Sequence, residues 1–250
     1  MEEITSVSNS KIKETVKLHQ KKYRNETGLF LLEGHKPILE AFLAGIEIKA
    51  VFTTEKHIEK FDFIKEKIIL VTQAVLEKLS TTESMPEAAA IATQIKYSKD
   101  TLKNKTRILL VENIKDAGNL GTLIRSACAF SMDGIILCGE TVDIYNPKVI
   151  RSTVGALFKL PIIKLSLDET KELFKNSKLI ATVVNYKDTI HPEKINYKEP
   201  FILMLGSEAN GLTKEAINLS DIKTTIPISS ATESLNLSTA GSILLYISSR

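Results

Sequence analysis

Five polar residues stand at three points where an apolar run gives way to a loop and then to a helical pattern. Asn119 and Arg125 follow R-I-L-L-V-E at 107–112, Glu208 follows F-I-L-M-L at 201–205, and Ser234 and Asn236 follow the apolar-edged run at 222–226. Arginine binds phosphate, and asparagine, serine and glutamate bind and orient hydroxyls. The set therefore suits a polyanion and a neutral hydroxyl, and it holds no ordinary proton acceptor for neutral pH. Each residue also has a plain structural use: Asn119 as a helix cap, Arg125 in an ion pair, Glu208 solvated, Ser234 and Asn236 capping the last helix. Other chemistries lack their parts. Gly206 to Thr213 has G-x-x-x-x-G but Leu212-Thr213 where a phosphate loop needs Lys and then Ser or Thr, and Gly118 with Gly121 makes only G-x-x-G. There is no G-x-S-x-G, and His19, His35, His57 and His191 all lie outside the three junctions. Cys128 and Cys138 have neither C-x-x-C spacing nor a nearby histidine, which argues against zinc and against a disulfide framework.

These side chains act only if rigid elements hold them. Hydrophobic residues at 43% and charged residues at 25% describe a globular chain of 250 residues, long enough to bury a real core. Apolar runs and helical patterns alternate twice. The first series has strands at 28–32, 48–52, 68–71 and 88–95 with helices at 36–44, 56–61 and 74–79; it predicts a small α/β domain over 1–96. A polar stretch at 97–106 reads as a linker. The second series, 107–250, has strands at 107–112, 134–138, 161–165, 178–184, 201–205 and 222–226. Its helices follow Asn119 and are predicted at 146–157, at 168–174, from Thr213, and at 235–247. Phe201 to Leu205 has the continuous apolarity of a strand buried on both faces in a parallel sheet, and ligands of such sheets bind at the carboxyl ends of the strands.

The net charge of +3 is weak evidence for any partner, so its distribution matters more. Ser8 to Arg24 carries a basic helical face in which Lys21, Lys22 and Arg24 are the expected RNA-phosphate contacts, the alternative being a solvated amphipathic helix. The opening M-E-E-I-T-S lacks a signal-like layout and no run approaches ~18 apolar residues, so a soluble cytoplasmic protein is expected.

Taken together, the three junctions resemble the motifs of the SpoU (TrmH-type) ribose 2′-O-methyltransferases of the knotted SPOUT class. They read D-A-G-N-L-G-T-L-I-R-S-A at 116–127, L-G-S-E-A-N-G-L at 205–212 and I-P-I-S-S-A-T-E-S-L-N-L-S-T-A at 226–240, in the family's order and spacing. The stretch K-K-Y-R-N-E-T-G-L-F-L-L-E-G-H-K-P at 21–37 resembles that family's RNA substrate-binding module. The resemblance implies an α/β fold with a small N-terminal substrate-binding domain and a C-terminal methyltransferase domain threaded into a trefoil knot. It implies S-adenosylmethionine as cofactor, bound largely by backbone at Gly206, Ile226 and Leu235 with Thr182 nearby, and no metal. Arg125, Asn119, Glu208, Ser234 and Asn236 would then be the catalytic set, with Arg125 either a base or, more in keeping with a guanidinium, the group that orients a ribose hydroxyl and an adjacent phosphate. Ribosomal RNA is the expected substrate; transfer RNA, or a non-catalytic RNA-binding role for the same fold, are the alternatives. A homodimer is implied as well. The apolar circumference of the last helix, with Leu237, Ile243, Leu244, Leu245, Tyr246 and Ile247, is in keeping with it.

Overall fold

The computed structural model describes residues 1–82, 84–184 and 186–250, which form two compact units, one of Met1–Lys96 with Asp143–Phe158 and one of Tyr97–Val142 with Lys159–Arg250.

The first unit is built on a five-stranded sheet in the order β1 (Glu2–Ile4), β4 (Ile68–Val71), β3 (Ile48–Thr53), β5 (Ala88–Thr93), β2 (Leu29–Glu33). β1, β4 and β3 run parallel, and β5 is antiparallel to both its neighbours. The strand β1 escapes a reading of periodicity because it is short and polar, with Ile4 its one buried residue. One apolar cluster joins Ile4, Phe52, Ile69 and Val71 of the sheet to Ile12 of α1 (Ser10–Lys17) and to Val75, Leu76 and Leu79 of α4 (Gln73–Leu79). The basic stretch predicted as one helical face is two helices, α1 and α2 (Lys21–Thr27), the second stopped by Gly28 at φ +68°. Residues 55–67 form 3₁₀ turns rather than one helix, with non-helical backbone at Phe61 and Ile64.

Arg24 of α2 departs from the sequence reading. It is 2% exposed, donates through Nε and Nη2 to Asp143 Oδ2 at 2.9 and 2.6 Å, and through Nη1 to the carbonyls of Leu18 and His19 at 2.8 Å each. A guanidinium so used is a structural clamp and has no face left for RNA; Lys21 and Lys22 are exposed.

The segment 143–158, which the sequence reading leaves inside the second domain, packs into the first unit. Tyr145 packs at a tilt against Phe30 with centroids 4.6 Å apart, and its hydroxyl donates to the Ile95 carbonyl and accepts from the Ile95 N–H. Arg151 donates to Thr81 Oγ1 at 2.7 Å and approaches buried Glu33 at 3.5 Å. The helix predicted over 146–157 stops at Thr153: α6 spans Pro147–Thr153, and left-handed Val154 (φ +50°) and Gly155 (φ +88°) turn the chain into a 3₁₀ turn at Ala156–Phe158. A side chain at Gly155 would meet Glu40 Cγ at 2.7 Å.

The second unit is a six-stranded, wholly parallel sheet in the order β11 (Ile222–Thr224), β9 (Lys178–Thr182), β10 (Phe201–Leu205), β6 (Arg107–Glu112), β7 (Gly134–Cys138), β8 (Ile162–Lys164). From β6 the chain proceeds outward through β7 and β8, then crosses to the other side, where β10 inserts between β9 and β6. The order therefore reverses between β6 and β10, and the carboxyl ends of those two strands form the crevice where such sheets bind ligands. Both strands are apolar on both faces: Ile108 to Val111 and Phe201 to Leu205 are at most 1% exposed. The predicted linker is not free chain; Lys99–Leu102 is a 3₁₀ turn whose Leu102 joins the apolar cluster of this sheet.

Candidate active site

Two helices carry the polar residues to the crevice. α5 (Ala117–Ala129) follows β6 and starts at Asp116, whose side chain accepts the Asn119 N–H at 2.8 Å. With Asp116 as the cap, the Asn119 side chain is left to reach elsewhere. α9 (Leu237–Ser248) is capped by Asn236, whose Oδ1 accepts the N–H groups of Ser238 and Thr239 at 2.9 and 3.3 Å and the Ser238 hydroxyl at 2.7 Å. Gly241 brings α9 against α5 and β10: a Cβ there would lie 2.4 Å from Leu123 Cδ2 and 2.7 Å from Leu205 Cδ1. Close approach is fastened by the Ser126 and Ser242 hydroxyls, 2.7 Å apart.

The loop after β10 is drawn tight at its base. Gly206 admits no side chain, since a Cβ would sit 1.9 Å from the Gly211 carbonyl carbon and 2.0 Å from Leu212 N. Ser207 and Gly211 exchange two backbone hydrogen bonds, 3.0 and 2.9 Å, so that Glu208 to Asn210 form an exposed tip. Thr213 then caps α8 (Lys214–Leu219).

The three junctions meet in one hydrogen-bonded chain. Asn119 Nδ2 donates to Glu208 Oε1 at 3.0 Å, and Asn236 Nδ2 donates to Asn119 Oδ1 at 3.1 Å. The cap bonds of Asn236 and the Glu208 carboxylate, which only accepts, leave each amide one orientation. Arg125 stands apart from the chain. Six residues beyond Asn119, it lies about 120° away around the helix, exposed, with no hydrogen bond or ion pair to any described residue. Ser234 is also exposed, and among the described residues only its carbonyl is engaged, accepting from Thr232 Oγ1 at 3.2 Å. The structure thus unites Asn119, Glu208 and Asn236, and leaves Arg125 and Ser234 with open side chains beside them in sequence.

Of the residues expected to hold the cofactor, Thr182 ends β9, Gly206 follows β10, and Ile226 and Leu235 lie after β11. Thr182 and Thr224 are register partners, and Thr182 Oγ1 donates to the Met204 carbonyl at 2.9 Å, tying β9 to β10 just before Gly206. Its hydroxyl proton is therefore engaged within the sheet. Ile226 and Leu235 are half-buried on the segment between β11 and α9. Exposed loop backbone beside half-buried apolar side chains fits a neutral ring with polar edges. Among the described residues no group of three or more His, Cys, Asp or Glu converges as a metal site. Glu112, a buried carboxylate at the end of β6, lies outside the set marked by the three junctions. Its signal is a charged residue closing an otherwise apolar run.

This parallel sheet with its sequence motifs defines a class: residues 106–246 match the SpoU rRNA methylase family, and the chain belongs to it. It is an S-adenosylmethionine-dependent RNA methyltransferase with a second recognised part, since residues 9–90 match the MRM3-like substrate binding domain. Among individual proteins, the chain is 28% identical to the 23S rRNA (guanosine(2553)-2′-O)-methyltransferase RlmP of Bacillus subtilis, covering 98% of each. It is 32% identical to an uncharacterized tRNA/rRNA methyltransferase of Synechocystis sp., covering 97% of this chain and 92% of that one. A solved AdoMet-bound rRNA methyltransferase from Sinorhizobium meliloti superposes with a TM-score of 0.88 at 28% identity, over 99% of this chain and 97% of that one.

Proposed function

We propose that this protein methylates a ribose 2′-hydroxyl of ribosomal RNA, with the crevice between β6 and β10 as its reaction site. The observation that carries the reading is the chain Glu208, Asn119, Asn236, which joins three sequence-distant junctions at the switch point of a parallel sheet. S-adenosylmethionine supplies the methyl group; Gly206, Ile226 and Leu235 are the residues proposed to hold it, with Thr182 behind them. Arg125, open and charged, binds the RNA phosphate and orients the hydroxyl, while Asn119, Glu208, Ser234 and Asn236 line the ribose side. Three relatives whose printed names specify 23S rRNA 2′-O-methylation support ribosomal over transfer RNA. Lys21 and Lys22 are proposed to contact RNA phosphate. The work is proposed to be cytoplasmic; among the described residues no helix is long and apolar enough to cross a membrane. Mapping of 2′-O-methyl positions in RNA from cells with and without the gene tests the reading. Loss of a methyl from ribosomal RNA is expected, and a loss confined to transfer RNA would overturn the substrate.

The trefoil knot and the homodimer belong to the same proposal. The first rests on the resemblance of the three motifs at 116–127, 205–212 and 226–240 to those of the knotted class. For the second, α9 buries Ser238, Gly241, Leu244, Leu245 and Ser248 within its own unit, so Leu244 and Leu245 are core. Ile243 and Ile247 stay half-buried and Tyr246 is 44% exposed, an apolar stripe for a two-fold partner. Light scattering at micromolar concentration should give twice the chain mass; a monomer with full activity would remove the dimer.

A further inference from the structure

The carboxyl end of β6 carries a carboxylate that none of these roles uses. Glu112 is 3% exposed, and its two oxygens accept from the backbone N–H and the hydroxyl of Thr213, both at 2.8 Å. No lysine or arginine pairs with it among the described residues. Burying a carboxylate without a cation is costly, so its donors must be well placed and are themselves held by it. Thr213 is the far foot of the loop that Gly206 begins, and its Oγ1 also accepts the Ala216 N–H at 3.2 Å. The loop is therefore pinned three times: at Gly206 by contact with Gly211 and Leu212, at Ser207 and Gly211 by paired hydrogen bonds, and at Thr213 by Glu112. The next residue repeats the device on the other side of β6. Asn113, at φ +56°, accepts the Glu140 N–H on Oδ1 at 2.8 Å and donates its own N–H to the Cys138 carbonyl at 3.0 Å.

We infer that Glu112 is a positioning residue: by holding Thr213 it sets the backbone of 206–212 for S-adenosylmethionine and keeps Glu208 within reach of Asn119. The inference rests on 206–212 being the cofactor loop. A carboxylate suits the position because both oxygens face donors. An amide of the same shape turns its NH₂ toward one of them, so one of the two hydrogen bonds is lost or reversed and the charge that strengthened both is gone.

The test measures S-adenosylmethionine affinity by calorimetry, steady-state kinetics and thermal melts on the full chain for Glu112→Gln, Thr213→Val, Thr213→Ser and the Glu112→Gln, Thr213→Val pair. Each of the first two is expected to weaken cofactor binding about tenfold, as loss of a charge-assisted hydrogen bond would. The pair should be no worse than the weaker single, since both remove one shared interaction. Thr213→Ser keeps the hydroxyl and should stay within about twofold of the parent, as a charge-assisted bond retained predicts. Lower melting temperatures with unchanged affinity, or additive losses in the pair, would overturn the inference. Amide exchange on the unaltered protein separates the underlying reading: protection of 206–212 on adding S-adenosylmethionine is expected. Its absence would remove the cofactor loop, and the positioning role with it.

Discussion

Two arginines that the sequence marks alike have opposite fates. Arg24 in the first unit is 2% exposed, with four hydrogen bonds that close α2, the preceding turn and residue 143 around it. Arg125 in the second unit projects from α5 with no partner among the described residues. Every donor of a buried guanidinium must be matched, which makes Arg24 a fold residue. An exposed guanidinium without a partner among the described residues keeps its donors for a ligand. Exposure and partner count, which residue type does not reveal, separate the two arginines.

The sharpest way to break the comparison is Arg125→Ala. Transfer should fall about a thousandfold, as removal of one transition-state donor does, with melting temperature and cofactor affinity unchanged. Equal loss of cofactor affinity would make Arg125 structural after all. Arg24→Ala should do the reverse. Leaving half-buried Asp143 without its cation and two carbonyls without this donor costs about 3 kcal/mol, read as a lower urea midpoint. Arg24→Lys should recover little, since an ammonium cannot span the same fork. An Arg24→Ala protein of full stability with weakened RNA binding would restore the RNA role expected from sequence.

Lys21 and Lys22 sharpen the contrast on the same helix. Replacing both by Ala should leave stability unchanged and lower the slope of log affinity against log salt by about 0.7–0.9 per lysine. An unaltered slope would make that face plain solvated surface. The smallest effect belongs to Tyr197. Its hydroxyl is buried without a partner among the described residues, its ring lies edge-on to Phe201 at 5.2 Å, and burial pushes its pKa up to about 12. The unfolded chain releases this proton near pH 10, about 2 pH units before the folded one, so the unfolded state holds fewer protons in that window and stability falls as pH rises through it. Tyr197→Phe should remove that part of the alkaline loss and shift neutral-pH stability by less than about 1 kcal/mol. Urea melts at pH 8 and 11 on both proteins would measure it; the same alkaline loss in the variant would exonerate Tyr197.

What the chain determines by itself is local. Thr213, Asn236 and the Ser166 to Glu169 box cap helices through bonds spanning two or three residues, and the continuous apolarity of 107–112 and 201–205 marks strands covered on both faces. Such signals come from backbone geometry within a turn or a pleat, so the strand-loop-helix junctions and their polar residues are legible before any fold is known. Partnership over distance is not. That β10 enters between β9 and β6, that Asp143 meets an arginine 119 positions earlier, and that Asn119 links Glu208 to Asn236 depend on which apolar faces close together. The residues themselves look the same whether the partner is water, a ligand or a carboxylate from the far side of a sheet. Only the packed structure decides among them, because burial is a property of the whole assembly of elements and strips water from some polar groups while sparing others.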